Sequence, residues 1–344
     1  MSFWGAVLLA QAIAVTAVGE TAPVASRADA ADDPAIWVHP TEPANSLILA
    51  TDKTFGLRVY DLAGVERQAL AIGRLNNVDV LAGVTLADWR GDLAIASNRS
   101  DDSIALFAVS AEGLQQIGAF SVAPEPYGVC LGRDGDAVTV FVAHKQGYMQ
   151  PFALTALAEP PRAAPPIFFE SQIEGCVYDA AHRRLLVGEE ARGLWAVDFA
   201  DGLFRAETLS LVDAVGGPSG LVADVEGVTL YEQADGAGVV IVSAQGADRF
   251  IAYDRRSLEP LGQFEIAAGA GVDGAQETDG LAAIAAPLGP QFPFGALIVQ
   301  DGFNVAPDGG PDGRTADEVP LAPQNFKIID WRAIATALTP TAAH

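Results

Sequence analysis

Histidine and cysteine are nearly absent from this chain, and basic residues are few. The histidines, His39, His144, His182 and His344, are spread over 344 residues. That supply is too thin and scattered for a zinc cluster, and no histidine or cysteine stands in a nucleophile motif. Cys130 and Cys176 show no C-x-x-C spacing, which removes support for a zinc ribbon or a redox pair. Both lie in apolar, strand-like stretches, GVCLG and EGCVYD, where buried free thiols are the expected state. A bridge between them stays open if the compartment is oxidising. Only 20 Lys and Arg face 44 Asp and Glu, for a net charge of −24. Such a field repels nucleic acid and anionic membranes, so neither is expected as a partner. The acidity itself has two readings: a solvated surface, or carboxylates drawn together by bound cations.

Low-complexity tails and linkers are also missing. An apolar run from Phe3 to Val15, followed by the small-residue pattern Val15-Thr16-Ala17, reads as an export signal cleaved after Ala17. The run is short and interrupted by Gln11, which argues against a membrane anchor. Residues 1–17 are therefore expected to be a signal peptide, 18–344 a single domain, and the mature protein secreted or periplasmic.

What the chain does have is a repeat. Short apolar strands read LILAT from Leu47, LAIAS from Leu93, VTVFVA from Val138, LLVGE from Leu185, VVIVSA from Val239 and ALIVQ from Ala296. Each is followed by a turn and a second strand, from LRVYDL at Leu57 to FKIIDW at Phe326. Each is preceded by another, from AIWV after Pro34 to GLAAI at Gly280. The units recur every 45 to 57 residues or about that, the length of a four-stranded blade. Six units without helical period predict an all-β, six-bladed propeller with four-stranded antiparallel blades. The last unit lacks one strand, which a segment near Pro23–Ser26 is expected to supply. A helix is expected only at the N-terminal run and at Trp331–Leu338.

In a propeller the innermost strands run side by side along the channel, so equivalent positions meet at one mouth. The residues opening these strands are Asp32 and Asp33, Asn76, Asn77 and Asp79, Glu125 and Tyr127, Glu174, Asp224 and Glu226, and Glu277 and Asp279. Singly, such residues satisfy turn backbones; six in phase point to a shared site. Two carboxylates about 4 Å apart repel by roughly 4 kcal/mol at an effective dielectric near 20. Either they carry protons or hard cations hold them, and calcium, with six to eight oxygen ligands, fits best. The next strands end in a second ring that includes Lys53, Arg99, Lys145, Glu190, Gln245 and Asp301. Three matched cations beside an acidic ring suit a multiply charged anion.

These residues resemble the β-propeller phytases, or alkaline phytases. The stretches that carry the likeness are AADDPAIW, LNNVD, ASNRS, GEE, ETDG, PFG, QDG and QNFK, in order from about Glu20 to Lys327. The resemblance implies stepwise, calcium-dependent removal of phosphate from myo-inositol hexakisphosphate (phytate) by a metal-activated water. It implies that Glu20, Asp32, Tyr127, Glu174, Glu190, Asp224, Glu226 and Asp279 surround the active-site calcium ions. By the same likeness Asp33 holds a more structural ion, and Asp273, Asp301 and Asn304 hold another. Lys53, Arg99 and Lys145 would grip phosphate, with Gln245 nearby. The chain departs from the family at Thr54, at Gln146 and in the long loop Val305–Pro323. A closed ring need not associate, so a monomer is expected. The alternatives are a six-bladed calcium lactonase or organophosphate esterase, which needs no phased cations, and a non-catalytic binding propeller.

Overall fold

The computed structural model describes residues 12–27, 29–305 and 322–339, and among these the strands form six sheets, each a blade. Blade 1 runs Ala31–Trp37, Leu47–Asp52, Gly56–Asp61 and Glu66–Ala71 outward from the channel. Blades 2 to 5 repeat this antiparallel meander, their inner strands being Leu75–Thr85, Pro126–Asp134, Ile173–Asp179 and Val225–Glu232. Blade 6 takes Leu281–Ile284, Ala296–Asp301 and Asn325–Asp330, and its fourth strand comes from the other end of the chain. That closing strand is Gly19–Glu20, paired antiparallel with Ile328 and Lys327. It lies a few residues before the Pro23–Ser26 segment expected, though Val24 still donates its backbone N–H to Gln324.

Alternation decides how the blades pack. Each middle strand turns apolar residues to both neighbouring blades, so apolar clusters form between blades rather than at one centre. Leu93 and Ile95 of blade 2 meet Val140 and Val142 of blade 3; Leu49 and Val59 of blade 1 meet Ala94 and Phe107 of blade 2. Six such clusters seal the ring. The helix Trp331–Ala337, where the sequence places it, stacks Trp331 on Tyr231 of blade 5.

A further sequence expectation changes. Cys130 and Cys176 are not free thiols: they form a disulfide between the inner strands of blades 3 and 4, with Cα atoms 5.9 Å apart. Adjacent inner strands in the same phase bring them together. Within the run expected to be an export signal, Ile13–Thr16 pairs in parallel with Phe264–Ala267 of blade 5, and Val15 and Ala17 are buried. Residues 1–11 lie outside the described residues, as does most of the 305–323 loop.

The channel end of the fold is set by a repeated irregularity. In blades 1 to 5 the inner strand holds one extra residue against its neighbour, between Ala31/Pro34, Leu75/Val78, Pro126/Val129, Ile173/Cys176 and Val225/Val228. Such a bulge re-aims the side chains it contains. The residues in it are Asp32-Asp33, Asn76-Asn77, Tyr127-Gly128, Glu174-Gly175 and Glu226-Gly227. The second residue presses on the next blade. A Cβ on Gly128 would lie 1.9 Å from the Glu174 carbonyl oxygen, and one on Gly175 2.2 Å from that of Glu226. A Cβ on Gly227 would reach to 2.7 Å from the Asp279 carbonyl oxygen, and Gly280 meets Asp33 in the same way. Glycine therefore lets four successive blades touch backbone to backbone. Replacing Gly175 with Ala is expected to cost about 1–3 kcal/mol by overpacking. Gly118→Ala, whose Cβ meets only a side-chain methyl at 3.7 Å, serves as control, and thermal unfolding compares the two. Equal melting temperatures for both variants would contradict this account.

Candidate active site

The bulges turn one oxygen-bearing side chain from each of blades 1 to 5 into the channel mouth. Asp32 and Asn76 are fully buried there, and Glu174 and Glu226 nearly so. One carboxylate oxygen each from Glu174, Glu190 and Glu226 lies within 4.8 Å of the others. Glu190 comes from the turn after Arg184–Glu189, and Gln172 donates to its Oε1. Asn76 Nδ2 reaches across the channel to Glu174 Oε1 at 2.7 Å. Asp279 precedes the inner strand of blade 6 and accepts from Lys53 Nζ at 2.7 Å. Lys53 Nζ is also 2.7 Å from Asp29 and 3.8 Å from Asp32.

Electrostatics tie the group together. Burial pushes the Glu174 carboxyl up to about 7, with the Asp279 charge adding to it. Asp32 and Glu226 are raised well above the ordinary range, first by burial and then by neighbouring carboxylates, Glu174 and Asp279 among them. Glu190 and Asp279 are raised for the same leading reason, and Asp224 adds its charge at Glu190. Burial works against the charge of Lys53, but Asp32, Asp279, Glu174 and Asp29 outweigh it and hold the ammonium on. Both Asp32 oxygens, Asn76 Oδ1 and Glu226 Oε2 are buried without a hydrogen-bond partner among the described residues. Orphaned buried oxygens on an all-oxygen donor set fit a hard divalent cation.

Below this layer Asp33 Oδ2 accepts from the Val78 N–H at 3.1 Å, and burial raises Asp33 well above the usual range. Asp79 is spent on Val80 and Leu131 N–H groups and is pushed up to about 6 by burial.

The remaining cations are arranged differently from Lys53. Arg99 and Lys145 form no ion pair among the described residues; both lie against the Tyr127 ring, Arg99 Cζ 5.4 Å and Lys145 Nζ 5.2 Å from its centroid. Gln245, grouped with them by sequence, instead donates to Asp279 Oδ1 and orients a carboxylate.

Glu20 stands apart from the central carboxylates it was grouped with. Its Oε2 is drawn 2.6 Å from the fully buried Lys327 Nζ, and Asn325 donates to it as well. Asp273, Asp301 and Asn304 do come together as expected, around that same ammonium, with Asp301 Oδ2 at 3.0 Å and Asn304 Oδ1 at 3.3 Å. An ammonium thus supplies a cation there, at the seam where the two ends of the chain close the ring. Asn325 Oδ1 remains buried without a partner.

Sequence reasoning assigned no role to the side chains that hold the second ring. Asp52, Asn98, His144 and Glu189 sit one residue before Lys53, Arg99, Lys145 and Glu190, and all four are buried. Asp52 Oδ1 and Asn98 Oδ1 accept the N–H two residues on, and Glu189 Oε1 accepts from Ser171. Asp301 falls at this capping position too, opposite Asn325 as Asp52 is opposite Gly56. The signal was available as a polar residue ending every one of these strands except that of blade 5, where Ala244 stands.

Fold and mouth together define a propeller enzyme built around an acidic, oxygen-only centre flanked by cations. A profile of the Phytase family matches residues 6–343. The chain is 34% identical over 339 residues to a protein named 3-phytase from Bacillus subtilis (strain 168), covering 94% of this chain and 85% of that one. A solved structure of BBS1N in complex with ARL6DN, soaked with lead, aligns with a TM-score of 0.50 at 11% identity, over 86% of this chain and 77% of that one. That last likeness is one of fold alone. The chain belongs to the phytase family and is a phosphoric monoester hydrolase.

Removing the Lys327 charge with Lys327→Met is expected to cost about 3–5 kcal/mol, because three carboxylates then lose their buried counter-ion. Thermal unfolding reads this directly, and an unchanged melting temperature would contradict it. The raised carboxylates also fix a pH slope. In the chelated protein the folded state holds protons that the unfolded chain releases between about pH 4.5 and the raised value near 7 of Glu174. Stability of the metal-free protein should therefore fall as pH rises through that window, and a divalent cation should flatten the fall. A metal-free melting temperature that rose from pH 5 to 8 would oppose it.

Proposed function

We propose that this protein hydrolyses the phosphomonoesters of phytate, releasing inorganic phosphate and lower inositol phosphates, with several calcium ions as its metal. The observation that carries the proposal is the pairing of a carboxylate-only centre with two cations, Arg99 and Lys145, that form no ion pair among the described residues. The relative named 3-phytase supports the substrate. Calcium is supported by the donor chemistry: oxygens alone, no histidine among them, and more carboxylates than a magnesium octahedron uses.

When bound, divalent cations would polarise the phosphoryl oxygens and acidify the attacking water. The residues that would hold them are Asp32, Glu174, Glu190, Asp224, Glu226 and Asp279, with the Tyr127 hydroxyl. Burial followed by the carboxylates Glu174 and Asp32 raises the Tyr127 phenol, so it stays protonated. Arg99 and Lys145 would take the equatorial oxygens of the reacting phosphate or a neighbouring phosphate of the same ring, stabilising charge spread in the transition state. Lys53 lies between Asp32 and Asp279, where it balances carboxylate charge and would also face substrate. In the overall step the water oxygen joins phosphorus, the P–O bond to the inositol breaks, and the inositol hydroxyl takes up a proton.

The protein would work outside the cytoplasm, secreted or periplasmic. The Cys130–Cys176 disulfide supports this, since such bonds persist in oxidising compartments. Among the described residues no helix is long and apolar enough to cross a membrane. A monomer suits a ring whose two ends close on each other.

The direct test is phosphate release from phytate with calcium and then with chelator. Turnover should need calcium, and Glu226→Gln should lower kcat at least about a hundredfold while remaining folded. Full activity in chelator, or hydrolysis of a lactone in preference to phytate, would overturn the assignment.

A further inference from the structure

We propose that the aromatic ring of Tyr127, as distinct from its hydroxyl, is the positioning group for the phosphate-gripping cations Arg99 and Lys145. The inference rests on the phosphomonoesterase reading above and adds a second task for a residue otherwise assigned to the metal centre. Arg99 and Lys145 come from different blades, yet both lie over one ring, at 5.4 and 5.2 Å from its centroid. The ring belongs to none of the six apolar clusters, so core packing does not explain its place. Its backbone is held hard: Ser97 Oγ donates to the Tyr127 carbonyl at 2.5 Å, and Gly128 lets the bulge back directly onto Glu174.

The physical problem is to keep two like charges close together before the anion arrives. Carboxylate partners would hold them, as Asp29 and Asp279 hold Lys53, but would also compete with phosphate. An aromatic face attracts a cation through its quadrupole without neutralising it. Arg99 and Lys145 accordingly make no ion pair among the described residues, and Arg99 Nε is buried without an acceptor. Since the ring sits on the same bulge as the hydroxyl, one residue sets the distance between the metal-binding oxygens and the anion grip.

The test separates ring from hydroxyl. Affinity for myo-inositol hexakis-sulfate, a non-hydrolysable polyanion, is measured by calorimetry in chelator for the wild type, Tyr127→Phe and Tyr127→Leu. Tyr127→Phe should bind within about twofold of wild type and Tyr127→Leu about tenfold more weakly, the equivalent of two modest cation–π contacts. With calcium and phytate, both variants should lose kcat through the missing hydroxyl, but KM should rise about tenfold only in the Leu variant. Adding Arg99→Ala should cost less in the Leu background than in the Phe background. If Tyr127→Leu fails to fold, Tyr127→Met, of similar bulk and without a ring, takes its place. Equal sulfate-ester affinity in the Phe and non-aromatic variants would overturn the proposal. Absence of phytate turnover in the wild type would instead overturn the proposed function, leaving the affinity difference to be read on its own.

Discussion

The central group at the channel mouth depends on one extra residue in the inner strands of blades 1 to 5. The bulge breaks the strict alternation of the strand, so two successive side chains leave the blade plane where a regular strand would offer only one to that face. It also thickens the backbone there, and the blades close only because glycine follows the functional residue in blades 3, 4, 5 and 6. Where glycine is missing, in blades 1 and 2, Asp33 and Asn77 stand instead and buried hydroxyls fill in. Thr51 Oγ1 donates to the Asn76 carbonyl and Ser97 Oγ to that of Tyr127. The site is therefore not added to the propeller: the contacts that close the ring are the contacts that aim Asp32, Tyr127, Glu174 and Glu226.

That shared origin carries a cost. Packing several carboxylates into a buried mouth raises their proton affinity, and the fold tolerates it through cations. Lys53 answers Asp32 and Asp279 at the centre, and Lys327 answers Glu20, Asp273 and Asp301 at the seam. Neither lysine is enough to neutralise its group, and buried oxygens without donors remain at both places. The same imbalance that penalises the metal-free protein would give divalent ions their affinity, and ions bound only by the folded form would stabilise it.

Much of this was legible in the sequence. The six repeats, the phase of Asp32, Glu174, Glu226 and Asp279, and the matched positions of Lys53, Arg99 and Lys145 all follow from strand spacing alone. What was not legible depends on contacts between blades distant in sequence. Glu20 reads as one more acid until Lys327 is seen beside it, 307 residues on. Cys130 and Cys176 look like isolated core thiols because their pairing runs across a blade boundary. Gln245 sits in phase with the cations, yet its amide faces Asp279. The strand Ile13–Thr16 was hidden by a composition that suits both an export signal and an edge strand. The bulges leave a faint trace, the pairs DD, NN, YG, EG and EG, which gains meaning only once the register is known.

The central claim is that oxygens from the bulged inner strands converge on divalent ions at one mouth. Anomalous scattering from crystals grown with calcium tests it most directly. The account predicts peaks within coordination distance of the Asp32, Glu174 and Glu226 carboxylates. A map with no peak among those residues, or with ions only on the outer surface, would contradict it.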